Sequence, residues 1–274
     1  MIFTINEFHR TRGYMKKAAI DNEELDVLVD VLLDIGEAMI VSGAEIMRVE
    51  DTVCRIGYAY GAQKMNVFAI TSDLVVTAKL NDQRSSTQSR RIREAGTINL
   101  TRLERMNSLS RQVCVSPVPV ASLRRLAQDI IRQKNSLWSW LTGSALASGA
   151  LTIFFGGRLV DGIVAAAFGV LVFWLQRYVA PICMNAVIFQ LLASFLTGVG
   201  IGAVDRIFPF LQGDYILVGT IMLLIPGVAF TNSFRDLLLG DTISGALRLI
   251  EALVLAVILA FGFMGSMFLL NAIA

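Results

Sequence analysis

Glu45, Arg48, Glu50 and Asp51 form the densest charged constellation in the first half of the chain. Two carboxylates at one site could act as acid and base in a hydrolytic reaction. On a helix, however, residues five apart diverge by about 140°, so Glu45 and Glu50 are not expected to face one substrate. Glu45 with Arg48, and Arg48 with Asp51, fall three apart, a spacing that suits surface ion pairs. Arg90, Arg91 and Arg93 could hold an anion, but such a cluster is more often a solvated strand or a headgroup-facing patch. His9 is the only histidine, and Cys54, Cys114 and Cys183 are far apart, so no ligand set for a metal converges. There is neither a glycine-rich phosphate loop nor a nucleophile elbow. The expectation is therefore no catalytic residue, no metal and no cofactor.

A second group of residues carries chemistry of another kind. Pro226-Gly227 falls inside an apolar run, followed by Thr231, Asn232, Arg235 and Asp236. Proline removes a backbone donor and clashes with the preceding turn, so a helix here must kink or break. Broken helices near the bilayer midplane are a recurrent way to build substrate sites in transporters. Pro226, Gly227, Asn232, Arg235, Asp236 and Asn185 are thus candidates to line a substrate path, with an ordinary proline kink as the plainer alternative. Asn185 and Gln190 are costly to expose to lipid and should face a bundle interior. Asp161, Asp236, Asp241 and Glu251 are candidate proton carriers, although each lies near an expected boundary where a solvated carboxylate is common.

These residues sit in a chain of two different compositions. Of 24 Lys and Arg, 19 precede Leu137, as do 16 of 22 Asp and Glu; the stated charge of +2 thus divides into +3 and −1. A basic excess this small gives no reason to expect a nucleic-acid partner. After Leu137 come apolar runs at about 137–155, 159–179, 182–204, 215–234 and 252–274, each near the roughly 20 residues that cross a bilayer. Arg124, Arg125, Arg132 and Lys134 crowd the approach to the first run, which places the N-terminus in the cytoplasm and the C-terminus outside. Small residues four apart, at Gly143/Ala147, Gly198/Gly202 and Ala252/Ala256/Ala260, suit close helix packing within the chain or in a homo-oligomer. The N-terminal residues carry no apolar run resembling a signal peptide.

The charged half reads as a small α+β domain over 21–136, after a tail of residues 1–20. An amphipathic helix is expected from Asp21 to Val41, broken by Ser42-Gly43, and a second from Ala44 to Tyr60, stopped by Gly61. Strands follow at Met65–Ile70, Leu74–Leu80 and, more polar, Thr87–Arg93, with Asn81-Asp82-Gln83 as a hairpin turn. Helices near Ile98–Val113 and Ser122–Lys134 lead to the membrane. The fold class is an α-helical integral membrane protein of about five spans with an N-terminal cytoplasmic α+β domain.

Ser42-Gly43-Ala44-Glu45, then Arg48-Val49-Glu50 and Gly61, resemble the N-terminal domain of the bacterial threonine/serine exporter family. Leu224-Ile225-Pro226-Gly227 through Asn232, Arg235-Asp236, Gly240-Asp241-Thr242 and Ser244-Gly245 resemble its signature at the fourth span. The resemblance runs from about Asp21 to about Gly262. It marks Gly43, Glu45, Arg48 and Glu50 as the soluble-domain motif and implies export of small amino acids, driven by a proton gradient. Single-chain members carry roughly ten spans, whereas five are expected here. The chain therefore resembles the larger subunit of the split form, similar to two-component exporters of succinate and related dicarboxylates. That form implies a smaller membrane partner subunit and the bacterial inner membrane. The competing expectation is a membrane-anchored, hydrolase-like enzyme acting through its soluble half.

Overall fold

A computed structural model describes residues 22–80, 84–92, 98–133, 136–183 and 185–273. His9, Asp21, the 81–83 turn, Arg93 and Lys134 lie outside the described residues. The chain divides into two compact units: one joins residues up to 133 with 232–248, and the other joins 134–231 with the segment from 249.

In the first unit, α1 spans Asn22–Val41 and α2 spans Ile46–Ala59. Strands β1 (Lys64–Ile70), β2 (Asp73–Lys79) and β3 (Ser85–Arg91) form an antiparallel sheet in that order. Helices α3 (Leu100–Val115) and α4 (Val120–Arg132) complete the N-terminal part. The apolar stripe of α1, with Leu25, Leu28, Leu32, Ile35 and Met39, is buried together with Val49, Val53 and Ile56 of α2 and Leu74, Val76 and Ala78 of β2. At Gly36 the helix comes so close to β2 that an added Cβ would lie 2.4 Å from Leu74 Cδ2.

Strand β3 is almost wholly polar, and its partners explain how it holds. It pairs in register with β2, from Asp73 opposite Arg91 to Lys79 opposite Ser85. Its Gln88 side chain donates to Asp26 O at 3.0 Å. Arg90 reaches the acidic row of α1, bonding Asp30 at 2.7 Å and Glu37 at 3.3 Å as well as Asp34. Arg124 of α4 also bonds Asp30. Arg90 is thus committed to holding a strand on a helix.

In the second unit, α5 spans Leu137–Phe154, and α6 spans Leu159–Trp174, extended by a π turn, Leu175–Val179. Helix α7 spans Ala186–Ile207 and α8 spans Gly213–Ile221. Helices α9 (Gly227–Leu239) and α10 (Thr242–Ile273) belong to both units, cut after Thr231 and after Arg248. Among the described residues, three helical stretches are long and apolar enough to cross a membrane: Leu159–Val179, Ala186–Ile207 and Thr242–Ala272. Helix α5 is an 18-residue helix, and the fourth apolar run is split between α8 and α9. In place of the loop expected over Arg235–Glu251, α9 runs to Leu239 and α10 begins at Thr242. The reversal takes only Gly240 and Asp241, because Gly240 adopts φ +98°, a left-handed conformation that costs a glycine little.

Small residues mark the close approaches in this unit. A Cβ on Gly149 would lie 2.8 Å from Gly162 O, and one on Gly169 would lie 2.5 Å from Ser144 O. Gly198 and Gly202 face Ser266 and Leu270 of α10 in the same way. Gly143, expected to pack, has nothing within 4 Å of its Cβ direction.

Candidate functional site

The turn between α1 and α2 is the point on which distant parts of the first unit converge. Its geometry depends on Gly43, whose φ of +87° favours glycine. The turn leaves three consecutive carbonyls outside any regular ladder, and buried carbonyls need partners. Ser42 O accepts from Asn99 N at 3.1 Å. Gly43 O accepts from Asn232 Nδ2 at 3.2 Å, and Ala44 O from Arg248 Nη2 at 2.9 Å. Three donors from three segments, separated by more than 50 residues of sequence from the turn, therefore fix residues 42–44.

Two arginine–carboxylate pairs complete the arrangement. Arg235 Nη1 lies 2.8 Å from Glu45 Oε1, and Arg248 Nη1 lies 3.0 Å from Asp236 Oδ2. The pairs differ in surroundings: the Arg235 side chain is 56% exposed, whereas the Asp236 side chain is 1% exposed. Arg248 therefore has one nitrogen on a buried carboxylate and another on the Ala44 carbonyl. Arg235 keeps part of its guanidinium in water.

The end of α9 sets the position of Asp236. Gly240 N donates to Leu237 O and Asp241 N donates to Asp236 O, at 3.2 and 2.9 Å. These two bonds and the left-handed glycine make a Schellman termination, which folds Asp241 back beside Asp236. One oxygen of each, Asp236 Oδ1 and Asp241 Oδ2, is buried without a hydrogen-bond partner. Asp236 lies past the fourth apolar run. Its carboxyl is held above the usual range mainly by burial; Arg248 opposes this, while Asp241 and Glu45 add to it. Glu50 is also raised, first by burial, although the Ala69 amide bonds Glu50 Oε1 at 2.9 Å and lowers it; Asp241 raises it further.

Glu45 and Glu50, expected to face apart, are thus both drawn into one charged neighbourhood. The helical wheel does not apply to Glu45, which precedes α2 in an extended conformation, φ −66° and ψ 141°. The expected ion pairs three apart are replaced: Asp51 pairs with Arg55 at 2.7 Å, Glu45 takes Arg235, and Arg48 is exposed. Arg248, absent from the sequence-based candidates, is the residue that ties the site together. Its signal in the sequence is weak, a single arginine seven residues beyond Asp241 in an apolar stretch.

The remaining candidates belong to the second unit. The chain breaks over Met222–Pro226, between α8 and α9, at the proline expected to interrupt it. Within the break, Leu224 O accepts from the buried Gln190 Nε2 at 2.6 Å. Gln190 faces the interior as expected. Asn185 does not: it is the exposed N-cap of α7, accepting from Ile188 N at 2.9 Å. An N-cap prefers Asn for this bond, so its polarity is used locally. Asp161 is fully engaged as well, its two oxygens accepting from Arg158 N at 2.9 Å and Gln212 N at 3.0 Å. Asp161 is an anchor between two loop amides.

The chain matches the family model described as "Putative threonine/serine exporter" over residues 30–270. It is also similar to the pheromone-regulated membrane protein 10 of Pichia sorbitophila, at 22% identity over 279 residues. That alignment covers 94% of this chain and 27% of the yeast protein, so the chain spans about a quarter of that relative's length. No solved structure matches the chain. With a match across most of its length, and with both motifs of the site inside it, the chain belongs to the threonine/serine exporter family of membrane proteins.

Proposed function

We propose that this chain is the larger subunit of a secondary exporter for small carboxylate-bearing metabolites, either threonine and serine or a dicarboxylate such as succinate. Export is proton-coupled and needs a smaller membrane partner. The chain crosses the bacterial inner membrane five times, with the N-terminus in the cytoplasm and the C-terminus outside. The observation that carries this reading is the break at Met222–Pro226, whose freed Leu224 carbonyl is covered by the buried Gln190 side chain. Non-helical backbone at membrane depth is tolerated where protein or a cavity supplies the missing bonds, and transporters use such breaks to contact substrate. Pro226 closes the break and Gly227 opens α9, Asn232, Arg235 and Asp236 follow within α9, and Arg235 supplies a solvated guanidinium for a substrate carboxylate. Membership of an exporter family favours this reading over the membrane-anchored enzyme.

The test is reconstitution in proteoliposomes, alone and together with a smaller membrane subunit of the split form. Labelled serine, threonine and succinate are supplied under an imposed proton gradient. Gradient-dependent movement of one of them, lost in Arg235→Gln, is the expected result. Absence of movement in both samples overturns the proposal.

A further inference from the structure

We infer that Glu45 is a resident carboxylate on Arg235, and that the carboxylate of a transported metabolite binds by displacing it. The inference deepens the exporter reading and rests on it for the assignment of Arg235 to the substrate. It makes Glu45 a positioning residue that sets how tightly the chain takes its substrate. The pair lies at the surface of the first unit. Arg235 Nη1 is 2.8 Å from Glu45 Oε1, with the Arg235 side chain 56% exposed and that of Glu45 17%. Arg235 is therefore held on one side by Glu45 and open to water on the other, where a second carboxylate reaches it without opening the fold.

The pair is not needed to hold the turn. Asn99 N, Asn232 Nδ2 and Arg248 Nη2 already satisfy the carbonyls of Ser42, Gly43 and Ala44. The neighbouring pair is built otherwise. The side chains of Arg248 and Asp236 are 10% and 1% exposed, and Arg248 also holds Ala44 O. A metabolite cannot reach that pair, and breaking it would strand a buried carboxylate. One pair is thus the fixed pin of the turn and the other is exchangeable. An exposed ion pair contributes little, so an incoming carboxylate has only a small free energy to match.

Glu45 also has a second place to go. It is the N-cap residue of α2, with an extended backbone, yet its side chain caps no amide of that helix, and the first turn holds no acidic residue. An N-cap side chain ordinarily accepts from the first-turn amides, and negative charge is favoured at that end of a helix. Displaced from Arg235, the Glu45 carboxylate turns onto those amides by rotating its own side chain, with the backbone in place. It returns when the substrate leaves. One carboxylate replaces another on the same guanidinium, so Arg235 is paired throughout.

The experiment measures binding of labelled serine, threonine and succinate to the full chain in lipid nanodiscs, with serinamide, which lacks the carboxylate, as the control. At least one of the three should bind, and serinamide should not. Glu45→Gln removes the resident charge and should tighten that binding about tenfold, whereas Arg235→Gln should abolish it. A residue that only braced the turn would act with the opposite sign, because its loss would loosen the site. Glu45→Asp, one methylene shorter, should tighten binding less, and it decides the matter where Glu45→Gln does not fold. Binding unchanged or weakened in the folded variant overturns the exchange and leaves the exporter reading standing. No binding of any probe to wild type or to either Glu45 variant overturns the assignment of Arg235, and the exchange with it. Tightened binding in a protein that moves no substrate in proteoliposomes leaves the exchange standing and sinks the exporter reading.

Discussion

In the first unit buried polar atoms are met from far along the chain, whereas in the second they are met mostly from the next turn. Arg248 reaches Ala44, Asn232 reaches Gly43, Arg90 reaches α1, and the Tyr60 hydroxyl donates to Val118 O at 2.7 Å. In the second unit Ser144, Thr152, Ser194 and Thr220 bond carbonyls four residues back on their own helices. The apolar side chains divide in the same way. Leucines and valines fill a core in the first unit, while Leu146, Phe154, Leu253 and Phe268 of the second point outward. Where water surrounds a fold, burial of apolar area holds it and long polar reaches choose one arrangement. Where lipid surrounds it, helices are complete in themselves and close contact between small residues holds them together.

Leucine truncations should break this comparison most sharply. Leu32→Ala, at a fully buried position of α1, should cost about 2–5 kcal/mol. Leu253→Ala, nearly half exposed, should change stability by less than about 0.5 kcal/mol. Denaturant unfolding of the full chain in detergent, followed by circular dichroism, separates the two; equal losses would show that the second unit also relies on a leucine core. Glycine tests the opposite arm. A Cβ on Gly219 would lie 2.0 Å from Thr152 Oγ1 and 2.7 Å from Thr152 N, so Gly219→Ala should cost about 3 kcal/mol through overpacking. Gly143→Ala, with open space around it, should be neutral or gain up to about 1 kcal/mol in helix propensity.

The polar stitching comes next in size. Arg90→Gln removes a partner from Asp30, Asp34 and Glu37, a partly exposed set, and should cost about 1–2 kcal/mol. The loss should shrink as salt screens the three carboxylates left behind, which a thermal melt at low and high ionic strength would read. The smallest effect belongs to Glu50. Its carboxyl is raised by burial, so its contribution to stability is complete below the ordinary carboxylate range and is lost as pH rises through the raised value. Glu50→Gln keeps an acceptor for the Ala69 amide and should remove that loss. Melts at pH 5 and pH 8 should therefore diverge less in the variant; a larger divergence would place the burial elsewhere.

What can be read from sequence follows the same division. The stripe of α1 and the proline break at 226 are local patterns, and both are visible in the order of residues alone. The strand β3 can be placed within two residues because alternation survives even in polar sequence, yet its hold on α1 depends on partners 53 to 60 residues away. The site is partly legible. Glu45, Asn232, Arg235 and Asp236 stand out as polar residues in motif-like runs. Arg248 does not, because its partners are 12 and 204 residues distant and no period links them. Asn185 misleads for the converse reason: a polar residue at a helix start looks like an interior polar group until its bond to Ile188 is seen.

The first unit is written in two pieces, residues up to 133 and residues 232–248. During synthesis the carbonyls of Gly43 and Ala44 therefore wait for Asn232 and Arg248, which follow them by 189 and 204 residues. A fragment ending near residue 134 contains the three described strands and the leucine core but lacks Asn232, Arg235 and Arg248. Expressed alone, it would present bare carbonyls at 43 and 44 and an unpaired Glu45. The natural unit for expression, exchange between relatives or gene fusion is thus the whole stretch through Arg248.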